Sequence, residues 1–422
     1  MMIAILFGLL IILLTLDVPV GFAIGGVTIF MMAAFTNLDL RMVATYSISG
    51  IDSFAMMAIP FFILSGIIMS VGGLARRLID VAAVLVGWMV GGLGSVVAVA
   101  SMFFGAISGS SIATVSAIGS IMVPEMTRKG YDKGYAAVYT ACAGTVGAII
   151  PPSIPFVVYA CAVGASVGDM FIAGIFPGIL IGIGMIIANY IVCKKNGLTE
   201  RDKRPTFKES AKCIWDAKWA ILSPIIILGG IYSGIFTPTE ASVVAVVYST
   251  IVSLLIYKEM TLKDLYEAIV QTASTNGVTT FLLGLSTAFA ALLSFEKIPA
   301  TVCAWLISLT NSKIIFLIII NIFLLILGCF MDNIPATIIL APMLLPAMQS
   351  FGVSDITFGI ILSANLLVGL VTPPYGCSLF VASAITKVPM GEMLKHIKIP
   401  LITLIICLIF ITYVPWFTTW FM

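Results

Sequence analysis

The sequence predicts an all-α polytopic membrane protein built from two inverted repeats. Hydrophobic residues make up 61% and charged residues 9% of the 422-residue chain, and the mean hydropathy is +1.18. Apolar runs long enough to cross about 30 Å of hydrocarbon, roughly 20 residues each, recur along nearly the whole chain. A shift of 222 residues also aligns the helix-breaking residues of the two halves without a gap.

The repeat is visible in prolines and glycines that occupy equivalent positions in the two halves. The shift lays Gly147 on Gly369, and it lays the pair Pro151–Pro152 on the pair Pro373–Pro374. Identity elsewhere is low, so the positions at which helices break are what the halves share. We therefore expect two related halves with the same sequence of elements.

Each half also carries one short polar patch inside an apolar run. The patch is SGSS at 108–111 in the first half and MDN at 331–333 in the second, so Ser110 corresponds to Asp332. Repeats that carry interrupted hydrophobic segments at corresponding positions are the best sequence pointer to the binding site of a transporter. The patches are therefore the first candidates for a site.

Residues 1–193 are predicted to form the first repeat. Asp17 and Pro19 interrupt the first 35 residues, which indicates two segments rather than one. Arg76 and Arg77 begin an amphipathic stretch typical of a helix in the membrane interface. The predicted elements are two segments within 1–35, a crossing at 51–72, an interfacial arm helix at 73–88, a re-entrant hairpin at 91–127, a broken helix at 134–163 and a return crossing at 170–193.

A basic linker at 194–218 separates the repeats, and the second repeat is predicted to occupy 219–422. The linker holds eight of the 21 basic residues, which places it in the cytoplasm by the positive-inside rule. Five full crossings per half are expected, and an odd number makes the halves inverted. The predicted elements are two crossings within 219–257, a crossing at 268–294, an interfacial arm helix at 296–313, a re-entrant hairpin at 313–350, a broken helix at 356–386 and a last span that ends near Trp416 and Trp420.

Composition argues against several other classes of protein. Eight cysteines lie singly, mostly in apolar runs and without a CxxC pair, which suggests neither a disulfide framework nor a zinc site. A net charge of +2 gives no reason to expect a nucleic-acid partner. The N-terminal run lacks a basic region and a cleavage site, so we interpret it as the first crossing rather than a cleaved signal.

The four breaks suggest a specific chemistry. Lipid cannot satisfy free backbone N–H and C=O groups, so broken backbone at membrane depth survives only inside protein or beside a wet cavity. The SGSS tip pairs naturally with GTVGAIIPPS at 144–153, and the MDN tip pairs with GLVTPPYG at 369–376. Carbonyls freed by prolines, together with hydroxyls, are hard oxygen ligands that suit Na⁺, whereas the N-terminus of a half-helix suits a carboxylate. The simplest function is transport of an organic anion together with cations.

Each candidate has a structural alternative. Glycine and serine in membrane helices often serve close packing, but equal spacing of the breaks in both halves favours a site. Asp332 lies deep in an apolar run, and intramembrane acids are functional by default, although a neutral structural acid is the alternative. Asp17 and Glu240 also lie near breaks, where they are equally explained as helix caps.

Four motifs in order resemble one known family. They are FGAISGSSIATVSAIGSIMVPEM, GTVGAIIPPSIP, MDNIPATIILAPMLLPAM and FGIILSANLLVGLVTPPYG. Over essentially the full chain, the sequence resembles the large membrane subunit (DctM-like, M subunit) of the tripartite ATP-independent periplasmic (TRAP) transporters. The resemblance implies Na⁺-coupled secondary uptake by an elevator-type motion in a bacterial or archaeal inner membrane. It also implies two partners, a small four-helix membrane subunit (Q-type) and a soluble periplasmic substrate-binding protein (P-type).

The resemblance also assigns residues by motif. One Na⁺ site would use Ser108, Gly147, Ile150 and Pro152. The other would use Gly328, Asp332, Gly369, Thr372 and Tyr375. The substrate would contact Ser110, Ser111, Ser153 and Asn333. Members of the family carry C4-dicarboxylates, sialic acid and other organic acids, and the sequence leaves the choice among them open.

Three other functions compete with this interpretation. A stand-alone elevator transporter could use the same two hairpins without a soluble partner. A channel would need a continuous polar lining, whereas these hairpins are apolar outside their tips. An intramembrane enzyme is disfavoured, because the chain has one histidine, in a basic segment, and neither an HExxH nor a GxSxG motif.

Overall fold

The structure, a computed structural model, describes residues 2–16, 18–198, 204–374 and 376–420. Asp17 and Tyr375, which the sequence analysis singles out, lie outside these residues. Within them every regular element is a helix. The first half contains α1 (Met2–Thr15), α2 (Val20–Phe35), α3 (Arg41–Ile51), α4 (Ala58–Val71), α5 (Leu74–Val86), α6 (Gly92–Ser108), α7 (Ser111–Arg128), α8 (Lys133–Gly144), α9 (Ile154–Val163) and α10 (Val167–Lys195).

The second half repeats this order of elements. It contains α11 (Phe207–Asp216), α12 (Lys218–Tyr232), α13 (Pro238–Ile251), α14 (Leu262–Phe295), α15 (Ile298–Leu309), α16 (Lys313–Phe330), α17 (Asn333–Ser350), α18 (Asp355–Gly369), α19 (Cys377–Thr386), α20 (Met390–His396), α21 (Lys398–Tyr413) and α22 (Trp416–Thr419). Short 3-10 turns cover Ala55–Met57 and Thr145–Ala148, and a π-helical turn, Val252–Ile256, extends α13.

Helix boundaries coincide when the halves are shifted by 222 residues. Helix α7 then covers α17 residue for residue, and α8 and α18 begin at the same place. The halves differ at two long spans. Helix α10 is one helix of 29 residues, whereas α20 and α21 at the equivalent place meet at a bend of 62°. In the first half α3 and α4 meet at a bend of 65°, whereas α14 runs through the equivalent place as one helix of 34 residues. The inverted-repeat fold class predicted from the sequence is confirmed.

Several helices can span a membrane. By length and composition α10, α13 with its π-helical turn, α14 and α16 qualify alone, and three further pairs of consecutive helices qualify together, each bent by more than 60°. Large apolar side chains lie on the surface, with Ile11 60% exposed and Leu255 68% exposed. An apolar surface of this kind is stable against lipid but not against water. The chain is therefore a multi-pass membrane protein.

A helix precedes each hairpin at the place predicted for an arm helix, and the first of the two is amphipathic. Helix α5 starts after Gly73, whose φ of +79° favours glycine. Arg77 of α5 donates a hydrogen bond of 2.7 Å to Glu259 and lies 3.6 Å from the ring centroid of Tyr257. These contacts fix the start of α5 to the loop before α14. The second arm helix, α15, begins in the same way at Lys297, which also has positive φ.

The linker between the halves contains a helix that the sequence analysis treats as a loop. Thr206 accepts a hydrogen bond from the backbone N–H of Glu209, and the Glu209 carboxylate accepts one from the backbone N–H of Thr206. This reciprocal capping box starts α11. The pattern is readable in the sequence TFKE, but the high density of charge favours a loop when only the composition is considered.

The hairpins and broken helices form the buried centre. Every residue of α8 from Gly134 to Gly144 is buried, and so is most of α18. The second helix of each hairpin packs against the broken helix of the other half, α7 against α19 and α17 against α9. Asn189 of α10 fixes the start of hairpin one, because it donates 2.7 Å to the carbonyl of Gly91 and accepts 3.1 Å from the hydroxyl of Tyr135. The packing of α7 on α19 and of α17 on α9 brings the two hairpin tips together.

Candidate transport site

The tip of hairpin one is a tight turn between α6 and α7. Helix α6 ends at Ser108, and Gly109 adopts a left-handed conformation with φ of +61°. A Cβ at Gly109 would also lie 2.7 Å from the carbonyl oxygen of Pro152, so both conformation and space require glycine. Ser110 then caps α7, because its hydroxyl accepts a hydrogen bond from the backbone N–H of Ala113. The free N–H groups at the start of α7 therefore lie at the tip.

The first tip contacts the first break directly. The backbone N–H of Ile154 donates 3.1 Å to the carbonyl of Gly109. Deeper in the hairpin, a Cβ at Gly105 would collide with the Cα of Gly147. Two glycines thus let the backbone of α6 touch the backbone of the break. The backbone of hairpin one is therefore packed directly against the backbone of the first break.

A cluster of oxygen atoms lies where the tip and the break meet. The buried hydroxyls of Ser108 and Thr114 are 3.3 Å apart, and Thr114 donates 2.8 Å to the carbonyl of Ser110. A Cβ at Gly147 would collide with the Thr114 hydroxyl. Ser108, Thr114 and Gly147 therefore surround one small volume, and Thr114 is a member that the sequence analysis missed. It stands one helical turn after Ser110 and three residues beyond the polar patch, and its sequence position alone does not single it out.

The remaining candidates of the first break lie outside this oxygen cluster. Ile150 and Pro152 lie in the irregular segment between the 3-10 turn and α9. Ser153 is fully buried; its hydroxyl donates 2.6 Å to the carbonyl of Ala148 and caps α9 by accepting from the N–H of Phe156. In this structure Ser153 stabilises the break through these two hydrogen bonds.

The second half repeats the arrangement with different side chains. Asp332 caps α17 through a hydrogen bond of 2.8 Å that its carboxylate accepts from the N–H of Asn333. A Cβ at Gly369 would lie 2.5 Å from the Cα of Gly328, so backbones again touch. Thr372 follows in the break, and its hydroxyl donates 2.8 Å to the carbonyl of Val368. The structure thus brings Gly328 and Gly369 into contact.

The two halves also touch each other at the tips. The hydroxyl of Ser111, at the start of α7, lies 3.3 Å from the hydroxyl of Ser378 in α19. Asn333, at the start of α17, accepts 3.1 Å from the Thr337 hydroxyl and is 3% exposed. The starts of α7 and α17 thus approach one centre from opposite halves.

A cavity of about 460 Å³ joins the tips to helices α4 and α14. Of the residues predicted from the sequence, Ser108, Ser110, Ser111, Asp332 and Asn333 line it. The cavity wall also includes polar residues that the sequence analysis missed: Ser70 on α4, Ser116 and Ser120 on α7, and Gln271, Thr275 and Thr279 on α14. The cavity therefore has one wall from the tips and a second wall from outside the hairpins.

The charge of this cavity is unusual for an anion site. Among the residues that the structure describes, no lysine, arginine or histidine lines it, and Asp332 is its one charged side chain. Favourable potential for an anion comes instead from the N-terminal ends of α7 and α17, whose N–H groups and dipoles point toward the tips. An ionised Asp332 would attract a cation to the same place. The geometry can therefore hold an anion and a cation side by side.

Comparisons with known proteins test the resemblance of the four motifs to a known family. Residues 7–417 match the family model described as "Tripartite ATP-independent periplasmic transporter, DctM component". The chain is 40% identical over 412 residues to the isethionate TRAP transporter permease protein DctMQ of Oleidesulfovibrio alaskensis, covering 97% of this chain but only 65% of that protein. It is 41% identical over 391 residues to the C4-dicarboxylate TRAP transporter large permease protein DctM of Pseudomonas aeruginosa, covering 93% of this chain and 91% of that protein.

A solved structure supports the fold. The YdaH transporter of Alcanivorax borkumensis, whose topology its crystal structure describes as unusual, superimposes with a TM-score of 0.61 at 15% identity and covers 90% of both chains. That likeness concerns the fold alone. The family model and both relatives extend across nearly the whole chain, and with them the resemblance of the four motifs is confirmed. The chain belongs to the tripartite ATP-independent periplasmic transporter family, as a DctM component.

Proposed function

We propose that the protein takes up an organic acid anion together with Na⁺ by an elevator motion of its hairpins. A periplasmic binding protein delivers the substrate, and a small four-helix membrane subunit completes the complex. The membrane is a bacterial or archaeal inner membrane, and the linker at 194–218 faces the cytoplasm. The observation that carries the proposal is the shared cavity: both tips line it, and its one charged side chain among the described residues is the carboxylate of Asp332.

The need for a coupling cation follows from this charge. A second anion beside Asp332 is repelled unless a positive charge lies between them, since two charges 4 Å apart interact by about 4 kcal/mol at an effective dielectric constant of 20. Helix N-termini supply only about half an elementary charge each. Na⁺ supplies the remaining positive charge. Its first site would use the hydroxyl of Ser108, joined here by Thr114, with backbone oxygens of Gly147, Ile150 and Pro152.

The second Na⁺ site lies at the other tip. It would use Asp332 with backbone oxygens of Gly328, Gly369 and Thr372, and Tyr375 completes the proposed set. The substrate would lie between the tips and contact Ser110, Ser111 and Asn333, with Ser153 holding the break behind them. The substrates named for the two relatives, isethionate and C4-dicarboxylate, are small anions, and the cavity of about 460 Å³ can accept anions of this size.

The contact between α4 and hairpin one suits a sliding motion. Gly66 of α4 faces Ser108, and a Cβ at Gly66 would lie 3.1 Å from the Cβ of Ser108. Small residues at such a contact leave no side chain to interlock. The cavity lies at this same contact, so movement of the tips past α4 and α14 would change its access.

Uptake into proteoliposomes tests the proposal. The vesicles hold this chain and its small subunit, with or without a Na⁺ gradient and the soluble binding protein, and labelled succinate, isethionate and sialic acid serve as probes. We expect uptake that needs both the gradient and the soluble protein. Uptake without the soluble protein would favour a stand-alone elevator, and leakage independent of the gradient would favour a channel.

Substitution of Asp332 tests the cation site. Asp332→Ala removes both charge and cap, whereas Asp332→Asn keeps a side chain that can cap α17. Both should lower Na⁺-coupled uptake at least about tenfold, since hydrogen bonds and pairs that involve a charge are worth about 1.5–3 kcal/mol. Asp355→Ala is the matched control, because Asp355 also accepts a hydrogen bond from the next backbone N–H, at 2.9 Å, but does not line the cavity. Normal uptake with unchanged Na⁺ dependence in both Asp332 variants would remove Asp332 from the site.

A further inference from the structure

Helix α14 carries a polar face that belongs to neither hairpin. Gln271, Thr275 and Thr279 follow one another at intervals of four residues, which places them on one side of the helix. All three line the cavity that contains the tips. On another face of the same segment, Ile269 is apolar and 47% exposed. The row of Gln271, Thr275 and Thr279 is therefore the side of this segment that is turned to the cavity.

The hydrogen-bonding groups of this face remain available. The hydroxyl of Thr279 donates 3.0 Å to the carbonyl of Thr275, which leaves its oxygen free to accept a further hydrogen bond. Among the described residues, the side-chain amide of Gln271 and the hydroxyl of Thr275 have no hydrogen-bond partner. The Gln271 amide N–H and the Thr275 hydroxyl are suitable donors to the oxygens of a carboxylate or a sulfonate, and the Thr279 oxygen can accept from a substrate hydroxyl.

A second polar row faces α14 across the cavity. Ser116 and Ser120 lie four residues apart on α7 and also line the cavity. Ser116 and Ser120 lie between the tip of hairpin one and the end of α7 at Arg128, and the α14 row lies in the half of that helix that begins beside Lys263. The cavity thus runs from the tips toward the basic loops, between two polar rows.

We propose that the α14 face is a substrate subsite, which binds the oxygen-rich end of the organic anion remote from the hairpin tips. This inference rests on the proposed function, because it names residues for the same substrate. Gln271 and Thr275 donate hydrogen bonds to that end, and the Thr279 oxygen accepts a hydrogen bond from a substrate hydroxyl nearer the tips. The subsite is formed when the cavity opens toward the basic loops. It therefore affects release of the substrate and the choice among anions, and it does not affect Na⁺ binding.

Isosteric substitutions measure the subsite. Gln271→Leu and Thr275→Val remove hydrogen-bonding groups with little change of volume, and Thr280→Val is the matched control, because Thr280 adjoins Thr279 but does not line the cavity. Labelled succinate and isethionate are trapped inside proteoliposomes, and their exchange with external substrate gives the half-saturating concentration on the inner side. We expect each cavity variant to raise that concentration about three- to tenfold, as expected for loss of one hydrogen bond. The Na⁺ dependence should stay unchanged.

Cysteine labelling tests the placement without any transport. Thr275→Cys and Thr280→Cys are made in a chain whose reactive native cysteines are replaced by alanine. A sulfonate-bearing methanethiosulfonate, itself a small organic anion, is added to inside-out and to right-side-out vesicles. We expect Cys at 275 to react at least about tenfold faster from the side of the basic loops, because a thiolate reacts only where water and reagent reach it, and Cys at 280 to react slowly.

Two results would overturn the inference. One is equal labelling of the two cysteine variants from the side of the basic loops. The other is a wild-type protein that transports a probe while Gln271→Leu and Thr275→Val match Thr280→Val in inner half-saturation and in preference among anions. Failure of the proposed function looks different, since then the wild type itself transports none of the probes while the labelling pattern of position 275 is still measurable.

Discussion

Substitution of Gly369 by alanine tests whether touching backbones build the second Na⁺ site. The added Cβ would lie 2.5 Å from the Cα and the carbonyl carbon of Gly328, which is 0.9 Å short of the 3.4 Å at which ordinary contact begins. Both neighbours are backbone atoms, so no side chain can rotate away. Forcing an extra methyl into a packed interior costs about 1–3 kcal/mol. Here the strain must move α16 and α18 apart by nearly 1 Å, together with the proposed ligands.

The effect is measured as the Na⁺ dependence of uptake and as thermal unfolding in NaCl and in KCl. We expect the half-saturating Na⁺ concentration to rise at least about tenfold, because misplacing a binding constellation by 1 Å can cost about 100-fold. Stabilisation by NaCl over KCl should shrink as well. Gly229→Ala is the matched control: no atom lies within 4 Å of its added Cβ, and alanine favours a helix over glycine by about 1 kcal/mol. The reasoning is refuted if both variants keep wild-type uptake and the same response to Na⁺.

Three further predictions address the first site, the anchor of hairpin one and the start of α14. Thr114→Val should weaken Na⁺ dependence about three- to tenfold, whereas Thr140→Val, which loses a similar buried bond to the carbonyl four residues earlier, should leave uptake unchanged. Asn189→Leu leaves the hydroxyl of Tyr135 without its acceptor, and the cost of about 1–3 kcal/mol should appear as a lower unfolding temperature. The carboxylate of Asp264 accepts hydrogen bonds from the backbone N–H and the hydroxyl of Thr261, and these bonds lower the pKa of Asp264. Its contribution to the stability of the start of α14 is therefore present above the ordinary carboxyl pKa of about 3.9 and is lost as the pH falls through the lowered pKa. The protection of the first-turn amides of α14, measured relative to unstructured amides at the same pH, should fall over that range, and Asp264→Asn should abolish this pH dependence.

Much of the fold could be read from the sequence because helix breakers act locally. Proline removes a backbone donor and blocks the preceding turn wherever it stands, so Pro151 and Pro373 mark their breaks without reference to the rest of the chain. The amphipathic start of α5, with Arg76 and Arg77, is equally local. The helix in the linker was missed although its capping box was present, since the same residues also read as a charged loop.

The candidate site was only partly readable, because a site depends on which segments meet. Thr114 is one of many threonines in apolar runs, and only the contact with Ser108 and Gly147 distinguishes it. The polar face of α14 has the spacing of any helix that packs against a neighbour. Ser153 shows the reverse case, since its sequence position suggests a substrate ligand while its hydroxyl braces the break at Ala148.

The sequence by itself determined the membrane class, the two repeats and the places at which helices break, because hydropathy and backbone chemistry are properties of single segments. Tertiary structure alone decided that α7 packs on α19 and α17 on α9, and so that both tips share one cavity with α14. That outcome depends on packing between distant segments, where glycines such as Gly105 and Gly369 allow backbones to touch. No local pattern encodes which of several apolar helices will fill that space.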